Sequence, residues 1–271
     1  MNSEELAWRI RRHSLDMVHR GHASHIASAL SVADIIAVLY SDILRINPLN
    51  PQAESRDRFV LSKGHAGVAV YAALAECGFF PVKDLERYYM DGSALSGHLS
   101  HKNVPGVDFS TGSLGHGAAV ACGMSLAERN ASTPYRVYTV IGDGECNEGV
   151  IWEMALTAGH YGLENLTVII DRNGMQAMGF CKDLMDMEPM AEKWRSFGWN
   201  VVDVVDGHDH DKLRQAFNVP ANGRPKCIIA RTVKGKGISF MENNLLWHYR
   251  DPQGEFYSQA VAELNEHRTD I

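Results

Sequence analysis

The chain has no C-x-x-C pair: its five cysteines, Cys77, Cys122, Cys146, Cys181 and Cys227, lie scattered through 271 residues. Neither a disulfide framework nor a zinc cluster is expected from such spacing, and free thiols predict a reducing, cytoplasmic setting. No uninterrupted apolar run approaches the length of a membrane span. Glu4, Glu5, Arg9, Arg11 and Arg12 break up the start of the chain before a signal-peptide core can form. Basic clusters are scarce, confined to residues 9–12 and 234–236, and the net charge is −7. A nucleic-acid partner, which needs a concentrated basic face, is therefore not expected, and neither is a membrane partner. No repeat, low-complexity tract or Pro/Gly/Ser linker divides the sequence, so residues 1–271 are read as a single domain.

What is present is an alternation of short β-branched runs with helix-length segments. Runs at 59–61, 137–141, 166–171, 201–205 and 227–231 are apolar without period-two alternation, as expected of strands covered on both faces. Residues 4–19 place Leu6, Ile10, Leu15 and Val18 near one helical face, and 32–44 carry Ile35, Ile36, Val38 and Leu39. Ser31 is placed to cap the second of these helices. An Ala-rich helix is expected over 114–129, with Asn130 helping to end it. The fold class that follows is α/β, a doubly wound, mostly parallel sheet with helices on both faces.

One segment carries chemistry. The apolar run ending at Ile141 leads directly into Gly142-Asp143-Gly144-Glu145, and a helix with Trp152, Met154 and Leu156 follows. Ligands of open α/β sheets bind at this carboxyl edge of the strands. Glycine on both sides lets a phosphate approach the backbone, and Asp143 offers a carboxylate to a hard cation. The next strand ends in Asp171-Arg172-Asn173-Gly174. Asp143, the Asn173 amide oxygen and a nearby carbonyl make half an octahedral shell that diphosphate oxygens and water would complete. Either dipeptide alone reads as a turn. Two of them at the ends of two neighbouring strands, with a full helix between, read as a site.

With Asn173 closing it, this motif resembles the thiamine diphosphate signature, and the sequence around it is similar to the N-terminal domain of transketolases. Further segments fall in the family's order: Ser62-Lys63-Gly64-His65-Ala66, Ser96-Gly97-His98, Thr111-Gly112-Ser113-Leu114-Gly115, and Lys234 to Gly237 followed by Trp247-His248. The resemblance runs from about Arg12 to Tyr257. It implies thiamine diphosphate as cofactor with Mg²⁺ or Ca²⁺, the metal held by Asp143, Asn173 and the Met175 carbonyl. Gly112, Ser113, Leu114, Gly144, Glu145, Asn173, His65 and His248 would contact the cofactor. His25, His65, His98 and His248 match active-site histidines, and Glu148 matches a glutamate at the contact between subunits. Neutral-range imidazoles suit a reaction that moves hydroxyl protons at each step. His22 offers a competing register for His25, though the spacing to Ala33-Asp34-Ile35 favours His25. His101 and His116 have a weaker claim on the cleft.

The remaining histidines read as ordinary: His13, His19 and His267 on solvated helix faces, His208 and His210 in a polar loop. Cys146 reads as an inert small side chain. The methionine-rich stretch 178–190 reads as a loop over the site, and 263–271 as a polar tail. The resemblance also implies that the pyrimidine-side glutamate lies elsewhere, on a C-terminal transketolase subunit carrying the pyrimidine-binding domain. The expected activity is ketol transfer between sugar phosphates, in a heterotetramer, with a homodimer possible for the chain alone. Two other readings stand beside it: a component of a 1-deoxyxylulose-phosphate synthase-like or 2-oxoacid dehydrogenase-like enzyme, and a non-catalytic scaffold.

Overall fold

The computed structural model describes residues 1–268, apart from the His267 side chain. A five-stranded parallel sheet runs in the order β1-β2-β3-β5-β4. Its strands are β1 (Arg58–Leu61), β2 (Val137–Gly142), β3 (Leu166–Arg172), β4 (Asn200–Val204) and β5 (Lys226–Arg231). Each lies within one residue of the run read from sequence. Alternate strand residues feed two separate cores. Val140, Ile169, Ile228 and Ala230 belong to one, and Ile141, Val168, Ile170 and Ile229 to the other. Both faces are thus dry, which is why the strands carry no polar alternation.

The first core is closed by α1 (Ser3–Gly21), α2 (Ile26–Val38), α3 (Gly67–Glu76), α8 (His210–Asn218) and α9 (Glu255–Arg268). The second is closed by α4 (His116–Glu128), α5 (Gly149–Tyr161) and α7 (Met190–Ser196). The short α6 (Cys181–Leu184) sits between, in the methionine-rich stretch, with Met178, Leu184 and Met185 exposed.

Four expectations need correction. The second helix starts at Ile26, six residues early, so Ser31 lies inside it and not at its cap; its hydroxyl donates to Asp171 at 2.6 Å. With the π turn Leu39–Ile43 that continues it, this helix is long and apolar enough to span a membrane, yet 83% of that window is buried inside the protein. His208 and His210 are not in solvent: both bond the buried Asp34, and His210 begins α8. The supposed polar tail is largely α9, anchored by buried Ala260 and Leu264, while 269–271 lie outside the described residues. His13 and His19 are also engaged, the first by Glu76 at 2.6 Å, the second stacked on Tyr257 at 3.8 Å.

Candidate active site

The sheet brings its chemistry to one edge. Gly142 pairs in register with Asp171, so the loops after β2 and β3 leave the sheet at the same height. Ser62 and Lys63 follow β1, and Thr232 follows β5. Around these ends lies a cavity of about 300 Å³, lined among others by His25, His65, His98, His248, Asp143 and Asn173. Gly112, Leu114, Gly144, Glu145 and Met175 also line it. Ser113 is exposed and Glu148 is exposed at the N-cap of α5, both outside that lining. His101 bonds Ser110 at 2.7 Å and His116 is exposed beside Leu114, so neither reaches the cavity.

Four imidazoles meet there. His25 stands 4.9 Å from His248, 5.2 Å from His65 and 5.7 Å from His98, measured between ring centroids. His22, by contrast, is a surface side chain bonded to Asp251 at 3.0 Å. The register is held by backbone: the His25 amide donates to the His248 carbonyl at 2.8 Å, and His25 itself adopts φ 73°. Burial, reinforced by His98, Lys234 and Lys63, lowers His25 to about 4. Burial, with Lys234 and His25, lowers His248 to about 3, and burial with Lys63 holds His65 well below the usual range. At neutral pH all three are uncharged rings that can accept as well as donate a proton. His248 is buried and its Nδ1 has no hydrogen-bond partner among the described residues.

A hub beneath the cavity sets its charge. The buried Asp171 carboxylate accepts from Lys63 Nζ at 2.5 Å, from Ser31 and from Thr232. Burial alone would raise Asp171, but Lys63 and the two hydroxyls hold it below its ordinary value. Asp143 is different. Its oxygens accept the Gly144 amide at 2.8 Å and the Gly174 amide at 2.5 Å, the Cys181 thiol is also within hydrogen-bond reach, and burial together with the nearby Asp171 raises it to about 6.

A buried carboxylate with no cation bonded to it, beside the Asn173 amide oxygen and the Met175 carbonyl, fits a hard divalent ion. Among the described residues no trio of His, Cys, Asp or Glu forms a metal cluster by itself. The remaining ligands would have to come from a bound anion and water, as Mg²⁺ ordinarily requires.

Glu145 plays another part. It is 2% exposed, and its carboxylate accepts from Ser62 at 2.5 Å, the Gly115 amide at 2.7 Å and the Gly142 amide at 2.9 Å. It therefore ties three loops of the cavity together while lining it. Gly64 lets two of those loops touch: a Cβ there would meet the Thr111 backbone at 2.6 Å. Two residues were not singled out from sequence, Lys63 and Lys234, each 2% exposed. Lys234 Nζ donates to the carbonyls of Met175 and Gln176, and burial and Lys63 lower it to about 8 against the opposing pull of Asp143 and Asp171. The available signal was a lysine set among glycines immediately after an apolar strand.

Residues 2–250 match the transketolase family model for the thiamine diphosphate binding domain. The chain belongs to the transketolase family. It is 41% identical over 259 residues to a 6-deoxy-6-sulfo-D-fructose transketolase subunit of Clostridium sp. strain MSTE9, covering 95% of this chain and 94% of that one. It is 38% identical to an apulose-4-phosphate transketolase subunit of Phocaeicola vulgatus, covering 94% of this chain and 91% of that one. Among solved structures, transketolase from Leishmania mexicana superposes with a TM-score of 0.91 at 30% identity, over 98% of this chain. The chain spans only 41% of that transketolase's length. The α/β fold and the thiamine diphosphate-binding character of this domain follow from these matches.

Proposed function

We propose that this chain is the diphosphate-binding subunit of a two-chain transketolase, moving a two-carbon ketol unit from a ketose to an aldose. The observation that carries the reading is the cluster of His25, His65 and His248 around a cavity that Asp143 and Lys234 line without a salt bridge of their own among the described residues. When bound, thiamine diphosphate supplies an acidic thiazolium carbon and an electron sink for the carbanion formed on cleaving a ketose. Asp143, Asn173 and the Met175 carbonyl would hold Mg²⁺, and Lys234 would face the diphosphate. The His248 Nδ1, buried and free, and His65 would contact the cofactor. His25 and His98 would exchange protons with substrate hydroxyls.

Two relatives that this chain covers to 94% and 91% of their length are named as transketolase subunits, which supports a second subunit for this chain. Exposed Tyr249 lines the cavity and suits burial by such a partner. We read the partner as the carrier of the pyrimidine-binding domain, the assembly as a heterotetramer, and the setting as cytoplasmic. The names of both relatives specify ketoses with an anionic end group, and we extend that substrate class, sugar phosphates included, to this enzyme.

Steady-state ketol transfer tests the reading. The purified chain with thiamine diphosphate, Mg²⁺ and sugar phosphates should be inactive, and addition of the cognate second subunit should restore turnover at fixed stoichiometry. Robust turnover by the chain alone would refute the two-chain assignment.

A further inference from the structure

A second cavity lies at the opposite, amino-terminal edge of the sheet and encloses about 580 Å³, against about 300 Å³ for the active cavity. Its floor is a row across three neighbouring strands. Tyr138 on β2 is in register with Thr167 on β3, and Thr167 with Lys226 on β5. Because register neighbours in a parallel sheet point to the same face, a phenol, a hydroxyl and an ammonium line up side by side. All three residues line the cavity, as does Arg136, which immediately precedes β2.

Lys226 is 6% exposed, and its ammonium donates only to the Phe217 carbonyl, at 2.7 Å. Among the described residues no carboxylate pairs with it or with the Arg136 guanidinium, although the Arg136 backbone amide donates to Asp57 at 2.8 Å. Arg45, the third cation of the lining, is already matched by Asp57 at 2.7 Å. A lysine this buried ordinarily has a counter-ion, because an unpaired charge out of water is costly. Burial and the neighbouring Arg136 lower it to about 8, the response expected of an ammonium that lacks an anion. Lys226, Arg136 and the hydroxyls of Thr167 and Tyr138 line this one cavity, a set of donors that suits an oxyanion such as phosphate. The rest of the lining asks for something else. Glu128 and Glu164 are acceptors, bonded to the Asn165 side chain at 3.4 Å and the Gly223 amide at 3.0 Å, and Phe217 supplies an apolar wall. Acceptors that share a lining with cations suit hydroxyl groups on the body of the same ligand.

We propose that this cavity binds a phosphorylated polyol, its phosphate on Lys226, Arg136, Thr167 and Tyr138 and its hydroxyls towards Glu128 and Glu164. The volume lies within the range of small-ligand sites. The inference is independent of how the active cavity is read, since the two lie at opposite ends of the strands.

Calorimetric titration of the full chain, saturated with thiamine diphosphate and Mg²⁺, tests it with sorbitol 6-phosphate, a polyol phosphate without a carbonyl. One saturable site is expected, with inorganic phosphate weaker by about tenfold or more and sorbitol not binding measurably. Arg136→Met, at an exposed position, should keep the melting temperature and weaken binding by about tenfold or more. Lys226→Met should do the same where it folds, and His65→Ala in the active cavity should leave binding unchanged. Absence of saturable binding, undiminished binding in Arg136→Met, or loss of binding in His65→Ala would each overturn the site. Inorganic phosphate binding as tightly as sorbitol 6-phosphate would overturn the polyol half of the proposal.

Discussion

His208 bonds Asp34 through Nδ1 at 2.6 Å and accepts the Val233 amide on Nε2 at 2.8 Å. A neutral ring with the proton on Nδ1 satisfies both bonds, so the buried aspartate of α2 fixes the tautomer that receives the strand-end backbone. Val233 immediately precedes Lys234, and the Gly235 amide donates to the Ala27 carbonyl at 3.0 Å. The loop carrying Lys234 is thereby fastened to the helix that His25 begins.

His208 should therefore act as a positioning residue for Lys234. His208→Ala is expected to weaken thiamine diphosphate binding by about tenfold, beyond a stability loss of about 1–3 kcal/mol. His210→Ala removes a bond to the same Asp34 without reaching Val233. It should cost similar stability with cofactor affinity intact. Equal calorimetric effects of both variants on cofactor affinity would show that His208 has only a structural role.

Cation binding should be linked to a proton. Burial and Asp171 raise Asp143 to about 6 in the cation-free chain, so the carboxyl is protonated below that pH and must ionise to bind Mg²⁺. Affinity should fall by about tenfold per pH unit below pH 6, and near pH 6 the binding enthalpy should vary with the ionisation enthalpy of the buffer. Asp143→Asn should abolish both effects. A buffer-independent enthalpy at pH 6 would remove Asp143 from the metal site.

The histidine ring predicts acid lability in the opposite sense. His25 and His248 are depressed to about 4 and about 3 from an unfolded value near 6.5. Their neutral forms contribute stability that is fully present above pH 6.5 and lost as pH falls through 4 towards 3. Urea midpoints measured from pH 7 to pH 4 should fall less steeply for His248→Gln than for the parent chain. Parallel curves would mean that these rings are not held neutral.

Removing Glu145 should be severe for the fold. Its carboxylate is the common acceptor for Ser62, Gly115 and Gly142, and truncation leaves three donors unpaired in a dry site. Glu145→Ala should lose about 3 kcal/mol or more, while Glu145→Gln, which keeps one carbonyl acceptor, should lose less. Denaturant unfolding measures both. A loss below about 1 kcal/mol for alanine would mean that the loops do not depend on this brace.

The sheet was legible because buried parallel strands are written as plain apolar runs, and the Gly142-Asp143-Gly144 loop because it follows one directly. The start of α2 was not, since Ser28, Ser31 and Asp34 interrupt the apolar pattern. Each is buried, Ser31 and Asp34 in internal hydrogen bonds that local spacing cannot reveal. His208 and His210 read as solvated for the same reason: their partner Asp34 lies far off in sequence. The α9 helix buries only Ala260 and Leu264 fully among the described residues, with Tyr257 and Val261 half-buried beside them, a thin stripe among Glu, Gln and Asn. The site motifs identified Asp143, Asn173 and the four histidines. They did not disclose that Glu145 faces inward or that Lys63 and Lys234 are buried beneath the cavity.

The matched height of Gly142 and Asp171 in adjacent strands has a thermodynamic consequence. Sheet hydrogen bonds hold the two diphosphate loops in place whether or not a second protein is present, so this chain brings a preformed half of a binding site. If the other half arrives on a partner, cofactor and partner must assist one another by the same factor. Cofactor would then tighten the assembly of the two proteins as much as assembly tightens cofactor, and scarcity of thiamine diphosphate would be sensed as dissociation of the enzyme.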